Sequence, residues 1–356
     1  MKTIETVIRR NTAYSNFFIE KKEYRHWYRR PDIHPTAIGV WMCMDGRCSP
    51  DVFGMVPGIL EFWRNGGCLF DLGWLGFQPS FKDWYLHARM NGRQCLVVLV
   101  DHFSGSDPRK LGCAAHGCDD AAARMATWSQ VEDLWSDFEE DDGTRNLYAI
   151  ACGLDTDTHT LVFRRRKGGE VFDLATAWDL TERELTEALT EFYAGELPQD
   201  IVRDIVPWAS GNILYGRNTG AAGRSPQGHR ESVIAVGRGL DWFGMNEALV
   251  IGPFSPDFEE MVAVAAKIVM HNIESEAISP SRGAVLLAAA PFHPHEGKPG
   301  RRMAARKAEH LAKGVEKVIR STVPGLVPYL HCAVGIVDND TRRLRIERRN
   351  DLQTLV

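Results

Sequence analysis

Three side chains that bind metals well stand at or just beyond the ends of apolar runs in this chain: Cys43, His102 and Cys113. Leu96 to Val100 has the length and β-branched content of a buried strand, and Asp101-His102 closes it before a Gly/Ser/Pro-rich loop. The chain then enters the Ala-rich stretch at Cys113-Ala114-Ala115, read as lying at or near a helix start, where a thiol ionises more readily. Upstream, Val40-Trp41-Met42 runs into Cys43-Met44-Asp45-Gly46-Arg47, a third possible ligand followed by a carboxylate and a guanidinium at alternate positions. Imidazole and thiolate are the donors that Zn²⁺ prefers. A lone cysteine is more often a small buried hydrophobe, and a lone histidine a satisfied structural one. Cys113 faces a compact rival, since Cys113, His116 and Cys118 cluster together and His116-Gly117-Cys118 could supply the ligands instead, though ligands on one turn are hard to arrange tetrahedrally with Cys43. Cys48, Cys68, Cys95, Cys152 and Cys332 read as buried or incidental, and His293-Pro294-His295 as a turn.

Cys-x-Asp-x-Arg, followed by Pro57-Gly58 and Phe62-Trp63-Arg64-Asn65-Gly66-Gly67, resembles the β-carbonic anhydrases. There His and the second Cys are commonly three residues apart, whereas His102 and Cys113 here are eleven apart. That spacing, with Asp107-Pro108-Arg109 and Gly112-Cys113-Ala114-Ala115-His116-Gly117, resembles the carboxysome shell carbonic anhydrases, a divergent β-type branch. The likeness is good over roughly Ile33 to Arg166. It implies zinc on Cys43, His102 and Cys113, with Asp45 and Arg47 as catalytic residues interconverting CO₂ and bicarbonate. Two thiolates and a neutral imidazole leave zinc formally uncharged, and its fourth position takes a water that ionises near pH ~7 and attacks CO₂. Arg47 would hold the Asp45 carboxylate off the metal while Asp45 accepts a hydrogen bond from that hydroxide. Phe70, Leu72 and Trp74 are candidates for an apolar CO₂ wall, and His116 for the proton shuttle. Two other readings keep the same residues: a zinc hydrolase of a CO₂ analogue such as COS or CS₂, and a non-catalytic zinc sensor or scaffold.

The elements that must hold these residues follow from the apolar pattern. Strands near Ala37–Met42, Leu96–Val100 and Leu147–Leu154 alternate with helical spacers such as Asp119–Phe138, the βαβ layout of a mainly parallel sheet. Such sheets carry their sites at the carboxyl ends of strands, where Cys43 and His102 fall. Thr181 to Glu184 is a capping-box signature, and the turn-rich Asn218 to Gly228 reads as an exposed linker or lid. The expected organisation is a helical arm over 1–32, a catalytic zinc domain over 33–170, a helical connector and loop over 171–230, and a pseudo-repeat over 231–356. The arm reads as a helix laid over a neighbouring domain or subunit, and is shorter than the separate helical domain that the resemblance implies before the catalytic one.

The repeat is visible as three aligned runs. Val233–Val236 lies over Ala37–Val40 at an offset of 196, Val285–Ala289 over Leu96–Val100 at 189, and Val337–Thr341 over Leu154–Thr158 at 183. Under that alignment Cys43 becomes Gly239, His102 becomes Pro291, Arg47 becomes Phe243, and Asp45 is matched by Asp241, so the second copy is expected to be zinc-free. The fold class is therefore α/β, a β-carbonic anhydrase-like parallel sheet duplicated as a catalytic copy and a degenerate one.

Composition narrows the rest. Of 356 residues 44% are hydrophobic and 25% charged, ordinary for a globular protein, and a net charge of −5 gives no reason to expect nucleic acid. The basic runs Arg164–Lys167 and Arg342-Arg343 read as solvated edges or turns. No run reaches the ~20 apolar residues of a membrane span, and Glu5, Arg9 and Arg10 interrupt the start as a leader. Eight cysteines without an export signal suggest a reducing, cytoplasmic setting, with carboxysomal placement possible. The expected partners are CO₂ and bicarbonate and further copies of the chain, as in a dimer of pseudo-dimers, with no membrane. Shell or Rubisco association is left open.

Overall fold

The computed structural model describes residues 2–107, 111–140, 143–166, 169–219 and 228–351. Most of the expected linker, together with Pro108, Arg109 and Lys167, lies outside the described residues.

β1 (Thr36–Cys43) and β3 (Gln94–Phe103) are apolar and buried along nearly their whole length. A strand wetted on neither face must be central in a covered sheet, and these two are. The first sheet has the order β2-β1-β3-β4-β5-β6, with β2 (Glu61–Asn65), β1, β3 and β4 (Leu147–Asp155) parallel. β5 (Thr160–Arg164) and β6 (Val171–Asp173) follow antiparallel. The second sheet, of β7 (Val233–Gly237), β8 (Ala248–Ile251), β9 (Ala284–Phe292), β10 (Leu330–Asp338) and β11 (Leu344–Asp351), has the order β11-β10-β9-β7-β8. Pairing senses match strand for strand, β1 with β7 through β5 with β11, so the chain is duplicated.

α3 (Gln78–Met90) and α4 (Asp120–Asp137) cover the outer face of the first sheet. α7 (Phe258–Glu274) and α8 (Gly297–Thr322) are their counterparts on the second. α1 (Lys2–Glu20) and α2 (Lys22–Tyr28) form the expected arm, and α1 seats Ile4 and Val7 against β7 and β9, over the second copy. Of its aromatic residues, Phe18 and Tyr28 are buried, while Phe17, Tyr24 and Trp27 are exposed.

The strand register corrects the repeat. Leu96 pairs with Ile38, while its partner at offset 189, Val285, pairs with Val233. Ile38 therefore matches Val233, an offset of 195 rather than 196; 189 and 183 stand. A one-residue slip sends every side chain of a strand to the opposite face, so the helix-covered faces agree only at 195. Cys43 then falls on Arg238, Asp45 on Leu240 and Arg47 on Trp242, and the apparent retention of Asp45 as Asp241 disappears. His102 still falls on Pro291.

The stretch after residue 170 belongs structurally to the first sheet. β6 pairs with β5, and α5 (Glu182–Phe192), capped by the Thr181–Glu184 box, leads into α6 (Gln199–Thr219). α6 buries Ile201, Ile205, Trp208 and Ala209 in the core. Its Asn212 donates to the carbonyls of Val52 and His159 and accepts from Leu161 N–H. This is an inner layer of the first copy, where the sequence suggested a helical connector.

The two copies meet through equivalent edges. Asn246, Val250 and Gly252 donate backbone hydrogen bonds to the carbonyls of Gly46, Met44 and Arg64, and Asp71 N–H donates to Phe254. A fragment ending at residue 170 loses these bonds and uncovers the shared core, and an uncovered apolar face of that size promotes association. Residues 1–170 expressed alone are expected to aggregate or to lack activity, as read by size-exclusion chromatography and CO₂ hydration; a monodisperse, active fragment would show that the second copy is only a tethered neighbour.

Candidate metal centre

β1 delivers Cys43 at its last position, and β3 delivers His102 one residue from its end. Cys113 arrives from the loop beyond. One ligand atom from each of these three residues lies within 4.8 Å of the other two, and all three side chains are buried. The sulfurs of Cys43 and Cys113 are 3.8 Å apart. Two sulfurs each ~2.3 Å from one tetrahedral centre would sit roughly 3.8 Å apart, so the pair suits a shared metal. Both ring nitrogens of His102 are buried without a hydrogen-bond partner. Buried polar atoms are rarely left so, and a metal would resolve the deficit. The donor set fits zinc.

The thiols share one hydrogen bond, which pulls Cys43 well below the usual cysteine range and pushes Cys113 well above it. Cys43 is thus the readier thiolate. The expected help to Cys113 from a helix start does not materialise. Cys113 opens only the three-residue turn Ala114–His116, too short for a macrodipole, and α4 begins at Asp120 with Asp119 as its cap. Burial alone would lower His102, but the Cys43 thiolate and Asp45 outweigh it and raise the imidazole.

Asp45 and Arg47 form a two-pronged pair: Nε to Oδ1 at 3.0 Å and Nη2 to Oδ2 at 2.6 Å, with the Arg47 N–H also donating to Oδ1 at 2.9 Å. Arg47 is fully buried and spends its remaining terminal nitrogen on the Leu111 carbonyl at 2.7 Å. Burial pushes the Asp45 carboxyl up, yet Arg47, His229 and His102 together hold it well below the usual carboxylate range. Asp45 Oδ2 lies 3.7 Å from His102 Nε2, beside the ligands and turned toward the guanidinium. Arg64, buried, donates to the carbonyls of Cys43, Met44 and Asp45 and fixes the loop from beneath.

Two further residues come from the segment before β7. His229 places Nε2 3.4 Å from Arg47 Nη2 and 3.8 Å from Asp45 Oδ2, and its Nδ1 lies 3.1 Å from Glu231. Burial works against its charge, but Asp45 and Glu231 raise its pKa. Glu231 also accepts from Gly46 N–H at 3.0 Å, and a Cβ on Gly46 would lie 2.5 Å from the Glu231 side chain, so a larger residue there would push that side chain aside. Asp45, His229 and Glu231 form the other metal-capable group among the described residues. The Arg47 fork already occupies both Asp45 oxygens, which argues against a second ion. The sequence reading missed His229 and Glu231 because they lie about 185 residues from the loop they meet.

His116 and Cys118 do not join the ligand group. His116 Nε2 donates to Gly67 O at 2.9 Å, and Cys118 Sγ lies 3.8 Å from Gly112 O. Gly67, at φ +63°, would place a Cβ 2.7 Å from His116, so this turn is built around that contact. Of the expected CO₂ wall, Phe70 and Leu72 pack in the aromatic cluster of the outer face with Trp41 and Phe77, while Trp74 is 38% exposed. Arg164, expected in solvent, is buried and forks the Asp101 carboxylate, next to His102. Arg342 is mostly buried, 3.6 Å from Glu61.

The doubled α/β sheet thus places a buried Cys–His–Cys group beside an arginine-clamped carboxylate. The family model "Carboxysome Shell Carbonic Anhydrase, catalytic domain" matches residues 78–179, which include His102 and Cys113. The carboxysome shell carbonic anhydrase of Hydrogenovibrio crunogenus is 25% identical over 62% of this chain and 47% of its own length. That of Prochlorococcus marinus is 29% identical over 64% and 51%. These likenesses are modest, and the chain spans about half the length of the curated relatives it matches. The solved β-carbonic anhydrase CcaA aligns over 43% of this chain and 92% of its own at 14% identity and a TM-score of 0.26; the fold described above rests on strand order instead.

Metal analysis is expected to return roughly one zinc per chain, since a catalytic site needs three protein ligands and one such set is assembled here. Cys43→Ser, His102→Ala and Cys113→Ser should each abolish that zinc, whereas Cys118→Ser should keep it. The reverse result for the last two would move the site to the compact cluster.

Proposed function

We propose that this chain is a zinc-dependent carbonic anhydrase interconverting CO₂ and bicarbonate. The observation that carries the reading is the Arg47 fork on Asp45 beside three converging ligand side chains. Zinc, when held by Cys43, His102 and Cys113, supplies a Lewis acid able to ionise water near neutral pH. Arg47 keeps the Asp45 carboxylate ionised and aimed, so that Asp45 acts as a hydrogen-bond acceptor beside the ligands rather than as one of them. A guanidinium suits this task because its planar fork matches both carboxylate oxygens. Arg64 and Glu231 hold the loop around Asp45 through its backbone, leaving the carboxylate to Arg47. His229, from the second copy, stands against the same pair and excludes water from its flank.

The relatives' name also supports a place in a carboxysome shell, and we extend the proposal to a soluble protein recruited there. Co-purification with shell proteins tests that part separately.

Stopped-flow CO₂ hydration, with metal analysis of the same sample, tests the activity; zinc-loaded protein without hydration would favour the sensor reading. Arg47→Ala is expected to retain zinc and lose activity by about 100-fold or more, the scale on which a preorganised electrostatic partner acts. Near-normal hydration by that variant would show that the clamp has no part in the reaction.

A further inference from the structure

Cys113 stands eleven residues beyond His102, and one carboxylate outside the site gathers the described residues 104–107 that lead toward it. Oδ2 of Asp157, in the turn between β4 and β5, accepts from Ser104 Oγ at 2.9 Å, Ser106 N–H at 2.9 Å and Ser106 Oγ at 2.7 Å. Ser104 Oγ in turn accepts from Asp107 N–H at 3.1 Å, and Leu111 N–H donates to Asp107 O at 2.9 Å. Leu111 O is the acceptor of Arg47 Nη1. A continuous chain of hydrogen bonds therefore runs from Asp157 through the loop to the Arg47–Asp45 pair, and Cys113 lies two residues past Leu111.

The second copy supplies an internal control. The turn recurs there with the same local bond: Asp157 N–H donates to Asp155 Oδ1, and Asp340 N–H to Asp338 Oδ1, each at 2.9 Å. Asp340 is exposed, and the chain passes from β9 to α8 in four residues, with no ligand loop to hold. The turn geometry alone thus does not call for a buried acid at 157. Its carboxylate is engaged only where a long loop carries a ligand.

We propose that Asp157 is a positioning residue for the metal centre: its carboxylate holds residues 104–107 and, through the Asp107–Leu111 bond, presents Cys113 and the Arg47 clamp to Cys43 and His102. This rests on the zinc reading above, so its test includes a metal-free readout. Asp157→Ala in the full chain is expected to release zinc to a chromophoric chelator at least ~10-fold faster than the parent, the scale of an outer-shell ligand support. In metal-stripped protein, Cys113 should be alkylated by iodoacetamide at least ~10-fold faster on the same scale, with Cys152 and Cys332 still protected. Ser106→Ala, which removes one of the three donors, should give a smaller change of the same kind, and Asp340→Ala none. Unchanged Cys113 alkylation in both Asp157→Ala and Ser106→Ala would overturn the proposal, as would equal effects of Asp157→Ala and Asp340→Ala, or exposure of all buried cysteines together in Ser106→Ala. A parent chain that binds no zinc, yet shows the Cys113 effect, would refute the zinc reading and leave the loop clamp standing.

Discussion

The site depends on burying one guanidinium. Removing a cation from water costs several kcal/mol unless its donors are matched, and Arg47 has no exposure at all. Its donors go to Asp45 and to Leu111, which fixes where both must be. The first partner is two residues away, in the loop that ends β1, and the second lies just before Cys113. One side chain therefore joins the Cys43 motif to the Cys113 loop, and the cost of burying it enforces their proximity before any metal is present. The same requirement explains Arg64. The loop that presents Asp45 turns three carbonyls inward, and a second buried guanidinium satisfies them.

That arrangement needs the second copy although the copy brings none of the three thiol or imidazole ligands. The edge that β2 and β8 share brings the segment before β7 against the Asp45 loop, so Glu231 can accept from Gly46 and His229 can stand over Arg47. With that segment absent, the flank of the Arg47–Asp45 pair would face water, where a clamp of this kind is worth far less. A degenerate copy can lose its chemistry and still be kept, because what it supplies is a low-dielectric wall and one polar pair.

The central strands were legible because they are long apolar runs buried on both faces, and the Cys-Met-Asp-Gly-Arg motif because its residues are adjacent in sequence. The contributions that sequence concealed act at long range. Nothing local marks His229 or Glu231, and Arg164 reads as one member of a basic run until β5 is paired beside β4 and carries it to Asp101. The wall residues failed for a related reason: Phe70 and Leu72 are apolar enough for either role, and the face of the sheet on which they fall is a tertiary fact. Cys113 was legible as a candidate ligand but not in its electrostatics, since the helix that would have polarised it starts seven residues later.

The one-residue error in the repeat shows how strand physics limits reading by eye. Two strands of similar apolar residues align almost equally well at offsets of 195 and 196, yet only one puts the same side chains under the same helices. The choice changes the chemistry. At 196 the second copy keeps an aspartate where the first has Asp45, and looks like a site that lost its metal but kept its base. At 195 the position of Cys43 holds Arg238 and that of His102 holds Pro291, so a cation and a side chain without a donor atom stand where the first copy has two candidate ligands. A guanidinium at a ligand position repels a divalent ion as well as failing to bind it. The contribution of the second copy to the protein is therefore made across the shared edge rather than at its own strand ends.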